Sequence, residues 1–331
     1  MKTVSGNLAF IKGDYGDGKL YIYDLSDPSH AILQSTYPLT AKTVQVVDQL
    51  AYITGNYLSP GLWSLDISDP THPSARGGYA NFGISKIAIP ASGNMAYVGG
   101  DRFRILDLTN PISPTLRGSY TEPGYSLYIA GTHVYAGGDQ KLLAFDVTNP
   151  EAPALSSSTV LTGSIAAIAG ANDLLYVISF TQSLIAHEWS VYTYLTVLDI
   201  SDPSNPMVLG SINYLTYSSD IYPRRPGAIA LAGTLAYIAT GETLEIIDIS
   251  NPAHPQVRTH YDTPGHASYV QIIGDLAYIA DAEAGLSILD ISNRLNPTIR
   301  GRYQGSACDY VFVQDGLAYL TWNGYSTMDK L

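Results

Sequence analysis

The sequence holds a single cysteine, Cys308. No disulfide can form within the chain, and a four-cysteine zinc site or a CxxC redox pair is excluded. Basic residues are scarce: 17 Lys and Arg stand against 29 Asp and Glu, a formal charge of −12. A nucleic-acid backbone needs clustered Lys and Arg, so nucleic acid is not an expected partner. The same shortage disfavours simple docking to anionic lipid. No uninterrupted apolar run reaches the length of a membrane span. No stretch reads as a long amphipathic helix. A Gly-x-Ser-x-Gly elbow and a phosphate loop ending in Gly-Lys-Ser/Thr are both missing. The seven histidines show no metal-ligand spacing. Neither a metal nor a cofactor is expected.

What the chain does have is a phrase that returns. Its fullest copy is Leu65-Asp66-Ile67-Ser68-Asp69-Pro70-Thr71-His72-Pro73. The Asp recurs at Asp24, Asp66, Asp107, Asp146, Asp199, Asp248 and Asp290, in steps of 42, 41, 39, 53, 49 and 42 residues. A period near forty marks a repeat architecture. The apolar residues before the Asp fall on both faces of a strand, as in Leu286-Ser287-Ile288-Leu289-Asp290. A strand covered on both sides reads this way. The Asx side chain can bond amides just ahead, and Pro ends the ladder because it has no N–H. The phrase is thus the end of a strand, here strand c, with its exit turn.

A second strand, b, precedes it and reads Leu-Ala-Tyr-Ile, as at Leu50-Ala51-Tyr52-Ile53 and Leu276-Ala277-Tyr278-Ile279. Eight such segments occur, the last at Leu317-Ala318-Tyr319-Leu320. A short apolar strand, a, lies before most of them, and a more polar strand, d, follows the phrase. One unit is therefore four antiparallel strands, and radial repetition of such units gives a β-propeller. The fold class expected is all-β: a single propeller domain over residues 1–331. Gly324 to Lys330 aligns with Gly285 to Ile291, which puts Asp329 in the repeat position. Eight blades follow, the last lacking its outer strand. Seven blades, or a fragment of a longer array, are the alternatives. The first residues, Met1 to Gly6, enter a repeat with no signal-peptide pattern ahead of them. The chain is then cytoplasmic or the mature part of a longer precursor.

In register and over essentially the whole chain, these segments resemble the LVIVD-repeat family. The resemblance implies a β-propeller, often secreted or surface-attached, with no catalytic motif to transfer. Ala31 stands in place of the second Pro of the first unit, and Arg294 replaces the first Pro of the seventh.

A ring of eight carboxylates could bind metal or move protons. A chemical site needs its residues in one place, whereas this Asp appears in every unit. It is read as structural and locally bonded. Asp14-Tyr15-Gly16-Asp17-Gly18 lacks the ligand set of a calcium loop and reads as a turn, as does Asp281-Ala282-Glu283. His30, His72 and His254 lie in the turn after Asx-Pro, where solvent is expected. His266 follows a Gly at the start of a strand a and is a channel candidate.

Function should sit where the units differ. The two long steps place insertions at residues 181–192, between strands b and c of unit five, and 213–226, between its strand d and the next strand a. In an up-and-down blade both connections emerge on one face. The candidate binding residues are His187, Glu188, Trp189, Tyr217, Asp220, Tyr222, Arg224 and Arg225. Aromatic anchors beside Arg are the residue types enriched at binding hot spots. The reading is a non-enzymatic scaffold at the cell surface or outside the cell that recognises a protein or carbohydrate. The alternative is a hydrolase or lyase using His187, Glu188, Asp220 and an Arg on the same face.

Overall fold

The computed structural model describes residues 2–5, 7–12, 18–24, 26, 32–39, 41–55, 60–80, 83–90, 93–185, 188–219, 225–294, 296–304, 307–314 and 317–321. Among these residues there is no helix, and every regular element is a strand. The first sheet has β1 (Lys2–Ser5), β2 (Leu8–Lys12), β3 (Leu20–Asp24) and β4 (Ile32–Tyr37) in chain order. The second has β5 (Ala41–Val47), β6 (Leu50–Gly55), β7 (Gly61–Asp66) and β8 (Ser74–Ala80), and the third β9 (Ile84–Ala88), β10 (Met95–Gly100), β11 (Phe103–Asp107) and β12 (Thr115–Tyr120). A seven-stranded sheet follows: β13 (Ser126–Ala130), β14 (His133–Gly137), β15 (Asp139–Asp146), β16 (Ala154–Ala171), β17 (Leu174–Ile185), β18 (Glu188–Asp199) and β19 (Met207–Ser219). Next come β20 (Ala228–Ala232), β21 (Leu235–Ala239), β22 (Gly241–Asp248) and β23 (Gln256–Ala267), then β24 (Tyr269–Ile273), β25 (Leu276–Ala280), β26 (Leu286–Asp290) and β27 (Thr298–Tyr303). A pair, β28 (Tyr310–Gln314) and β29 (Leu317–Thr321), ends the described chain.

All eight Leu-Ala-Tyr-Ile segments lie in strands, and seven copies of the phrase end the strand that follows. The eighth unit contributes β28 and β29, and Asp329 lies outside the described residues.

The chain divides into two compact units, one of residues 1–136 and 145–155, the other of residues 137–144 and 156–322. In the first unit, Phe10, Leu20 and Ile22 of the first sheet pack on Ala41, Val44, Ile53 and Leu65 of the second. Tyr52 and Leu62 of the second sheet meet Ile84, Val98 and Leu106 of the third. Strand c is therefore covered on both faces, and every residue of β11 is buried. In the second unit, Ile178, Leu195 and Val197 pack on Ala236, Ile238 and Ile247. Tyr237, Leu244 and Ile246 then meet Val270, Ile279 and Leu289.

Two features depart from the expected pattern. The first is β16, whose 18 residues serve as strand d of one unit and strand a of the next. Gly163 makes the junction at φ +80°, a conformation that suits glycine. The second concerns residues 181–192 and 213–226. They were expected as loop insertions, but where described up to residue 219 they continue the strands. β17 and β18 pair without interruption from Leu174↔Asp199 to Ile185↔Glu188. β19 follows β18 as far as Trp189↔Ser219. The physical reason is composition: Thr, Ile, Trp, Val and Tyr recur along these stretches and favour a pleated strand, and no Pro or Gly interrupts them before residue 220. The result is a three-stranded ribbon that prolongs one blade.

Candidate functional site

The repeated Asp comes first. One carboxylate oxygen accepts the backbone N–H two residues on: Asp66 from Ser68 at 2.8 Å, Asp107 from Thr109 at 2.7 Å, Asp199 from Ser201 at 2.8 Å and Asp290 from Ser292 at 3.0 Å. In four units the other oxygen accepts from an arginine ten residues on. Arg76 donates to Asp66, Arg117 to Asp107 and Arg258 to Asp248, each through Nε and Nη2. Arg300 pairs with Asp290, and Gln34 takes the place in the first unit. A β-bulge aims these side chains. Ile105 faces Gly118 and Leu106 faces Leu116, so Arg117 is the extra residue. The same slip leaves Arg76, Arg258 and Arg300 extra. A bulge bends an outer strand and re-aims one side chain, which also blunts an exposed edge. Hydrogen bonds from the turn lead the causes that hold Asp66, Asp107 and Asp248 down to about 2, with the arginine adding to them. Sequence reasoning missed the arginine, although its fixed offset of ten residues was visible.

The Asx-Pro turn also joins neighbouring units. Ser35 Oγ donates to the Pro70 carbonyl at 2.6 Å, and Ser157 Oγ to that of Pro203 at 3.0 Å. Where the serine is replaced by Gly77 or Gly210, the neighbouring turn closes directly on the backbone.

The ribbon carries the described candidates. Trp189 sits in β18, paired with Leu184 on β17 and Ser219 on β19. Tyr217 lies opposite Val191, and Glu188 opposite Ile185. Arg225 places its guanidinium 5.3 Å from the centre of the Phe180 ring, a cation–π contact. His187, Asp220, Tyr222 and Arg224 lie outside the described residues. Leu184, Tyr192 and Leu215 are exposed on the ribbon. His266 falls near the end of β23, and its backbone N–H faces the Asp281 carbonyl at 3.4 Å.

Below the ribbon tip runs a seam against β22. Phe180, Thr193 and Tyr214 form one row across the three strands. Side chains of this face pack on β21 and β22, where Ile238, Ile247 and Tyr214 share one cluster. Alternation along β22 turns Thr243 and Glu245 to the same side as Ile247. Thr243 Oγ1 donates to Glu245 at 2.8 Å and lies 2.7 Å from Thr240 Oγ1. His260 and Asp262 of β23 stand opposite Glu245 and Thr243. Burial pushes the Glu245 carboxyl up, with the Thr243 bond opposing it. The Tyr214 phenol is raised too, by burial first and then by the Glu245 charge.

One further buried acid, Asp281, was read only as part of a turn. Its carboxylate accepts from the Gly265 amide at 3.2 Å and from Ser287 Oγ at 3.3 Å. Burial raises it as well. Its place in the repeat is held by Gly55, Gly100 and Gly138 in earlier units. Among the described residues, no group of three or more His, Cys, Asp and Glu side chains could hold a metal ion.

Among solved structures the chain is similar to Sqt1 of Saccharomyces cerevisiae, at TM-score 0.71 and 8% identity over 96% of this chain and 90% of that one. The computationally designed Ika8 protein gives TM-score 0.67 at 13% identity over 96% and 91%. BamB of Moraxella catarrhalis gives 0.61 at 15% identity over 86% and 79%. These likenesses concern the fold, a β-propeller. Among curated proteins none matches in sequence. The model of the LVIVD repeat matches residues 3–38, 40–81, 87–122, 190–214, 224–263 and 264–305. It leaves out residues 123–189, which include all of β17. Matched over most of its length, the chain belongs to the LVIVD-repeat family of β-propeller proteins.

Proposed function

We propose that this chain is a non-enzymatic binding scaffold, one propeller whose working surface is the ribbon of β17, β18 and β19. One observation carries the reading. The b and c strands of this blade run 12 residues each, while those of the other units have five to eight. Repeats stack blade on blade, so a blade prolonged past its neighbours has a purpose beyond stacking. The ribbon is rich in Tyr192, Tyr194, Tyr214, Tyr217, Ser190, Ser218 and Ser219, with Trp189 near its tip. Tyr, Ser and Trp give large contact area and adaptable hydrogen bonds at low entropic cost, as in paratopes. Its partner is a protein or a carbohydrate met outside the cell or at its surface.

The test is an array of neutral and acidic glycans and immobilised peptides, probed with the chain and with a Trp189→Ala, Arg225→Ala variant. The expected outcome is selective binding by the chain, weakened about tenfold or more in the variant, as for loss of hot-spot side chains. Equal binding by both forms would count against the ribbon as the surface.

A further inference from the structure

Glu245 is an acid in a place that its repeat does not reserve for one. Three residues before the repeated Asp, the other described units carry Tyr21, Trp63, Arg104, Leu143, Thr196 and Ser287. Glu245 is buried, at 8% exposure. A carboxylate has about four lone-pair positions, and Thr243 Oγ1 occupies one of them. Among the described residues, no Lys or Arg forms an ion pair with it. Arg225, the described basic residue of the ribbon's connection, is placed over Phe180.

Across the seam stands Tyr214. Its hydroxyl is fully buried and has no hydrogen-bond partner among the described residues. It is close enough to Glu245 to feel the carboxylate charge. A buried hydroxyl left unbonded costs on the order of 1–3 kcal/mol, so such groups are normally satisfied. Thr193 and Thr240 are buried in the same seam and add hydroxyl oxygens. One acid, one phenol and several hydroxyls thus converge where the ribbon meets β22.

We propose that this seam binds a primary ammonium group, carried by a small amine or by a lysine side chain. An ammonium has three donors and no acceptor, and it seeks a carboxylate together with neutral oxygens. Glu245 supplies the charge, and the Tyr214 and threonine oxygens accept the remaining N–H bonds. A guanidinium is planar and calls for a bidentate acceptor, which fits this spread of single oxygens less well. The site lies below the exposed ribbon tip and stands whether or not the tip binds a ligand.

Titration of the intact chain with n-butylammonium, followed by amide chemical shifts, tests the proposal. Saturable shifts are expected in the ribbon and β22. n-Butanol, the same shape without charge, should give none. Glu245→Gln should weaken binding about tenfold or more, the loss expected with a charge-assisted bond. Tyr214→Phe should weaken it by a smaller factor while leaving the fold intact, which keeps the test valid if the Gln variant does not fold. A peptide acetyl-Gly-Lys-Gly-amide assigns the source: tighter binding than the amine means a partner's lysine, weaker binding a small amine. Absence of saturable binding, equal binding of n-butanol, or undiminished binding by both variants would overturn the proposal.

Discussion

Gly77→Ala is expected to cost roughly 3 kcal/mol, the upper end for overpacking a close contact. A Cβ at Gly77 would fall inside the van der Waals sphere of the Ile112 carbonyl oxygen, in the Asx-Pro turn of the next sheet. Backbone on both sides leaves no flexible end to move away. The control is built into the repeat. Gly301 holds the same offset, eleven residues after its Asp, and a Cβ there meets nothing within 4 Å among the described residues. Gly301→Ala should therefore be close to neutral. Thermal and urea melts of the two variants measure the difference. Equal melting would mean that turn-to-strand contact does not hold neighbouring blades.

Asp107→Ala should cost about 1–3 kcal/mol at neutral pH, the penalty for stranding buried partners. Asp107 is 7% exposed, and its loss leaves the Thr109 amide and hydroxyl without their acceptor and the Arg117 guanidinium with only the exposed Glu151 carboxylate. The pH dependence identifies the mechanism. The carboxyl sits at about 2 in the folded chain against about 3.9 when unfolded. A depressed value stabilises the fold above the unfolded pKa, and that stability is lost as pH falls through the folded value. The wild-type advantage over the variant should be complete above about pH 4 and fade toward pH 2. Asp66 and Asp248 share the same low value, so wild type itself should lose stability in this window. Glu245 and Asp281 act in the opposite sense, since burial raises both and protonation relieves them. Denaturant melts at a series of pH values follow both trends. A deficit that persisted unchanged at pH 2 would show that the loss is packing, not charge.

The strand plan was legible because it depends on local chemistry. Asp and Pro end strand c by turn formation, and Leu-Ala-Tyr-Ile fills a strand covered on both sides. Such signals need no knowledge of distant residues. The bulge was harder to see: Arg117 looks like an ordinary polar residue of an outer strand until its pairing with β11 slips by one. The two stretches read as insertions because the steps between repeats lengthen there to 53 and 49 residues, and polar Ser183, Ser190 and Ser218 break the hydrophobic alternation that marks a strand. Those serines sit directly opposite one another, which only the register reveals. The seam was hidden for another reason. Tyr214, Thr193 and Glu245 come from three strands of two sheets, and stacking alone brings them together.

The central claim is that one prolonged blade does the recognising while the repeats supply the frame. It is tested most directly by replacing residues 182–191 with Asn-Gly. Thr181 and Tyr192 are already paired, and a two-residue turn of this type closes such a hairpin. The trimmed chain and the wild type are melted side by side and then probed on the same glycan and peptide array. The account predicts that the trimmed chain unfolds cooperatively, as wild type does, and loses the binding that wild type shows. Trimmed chain that binds as wild type does would contradict it, and so would a wild-type chain that binds nothing on the array.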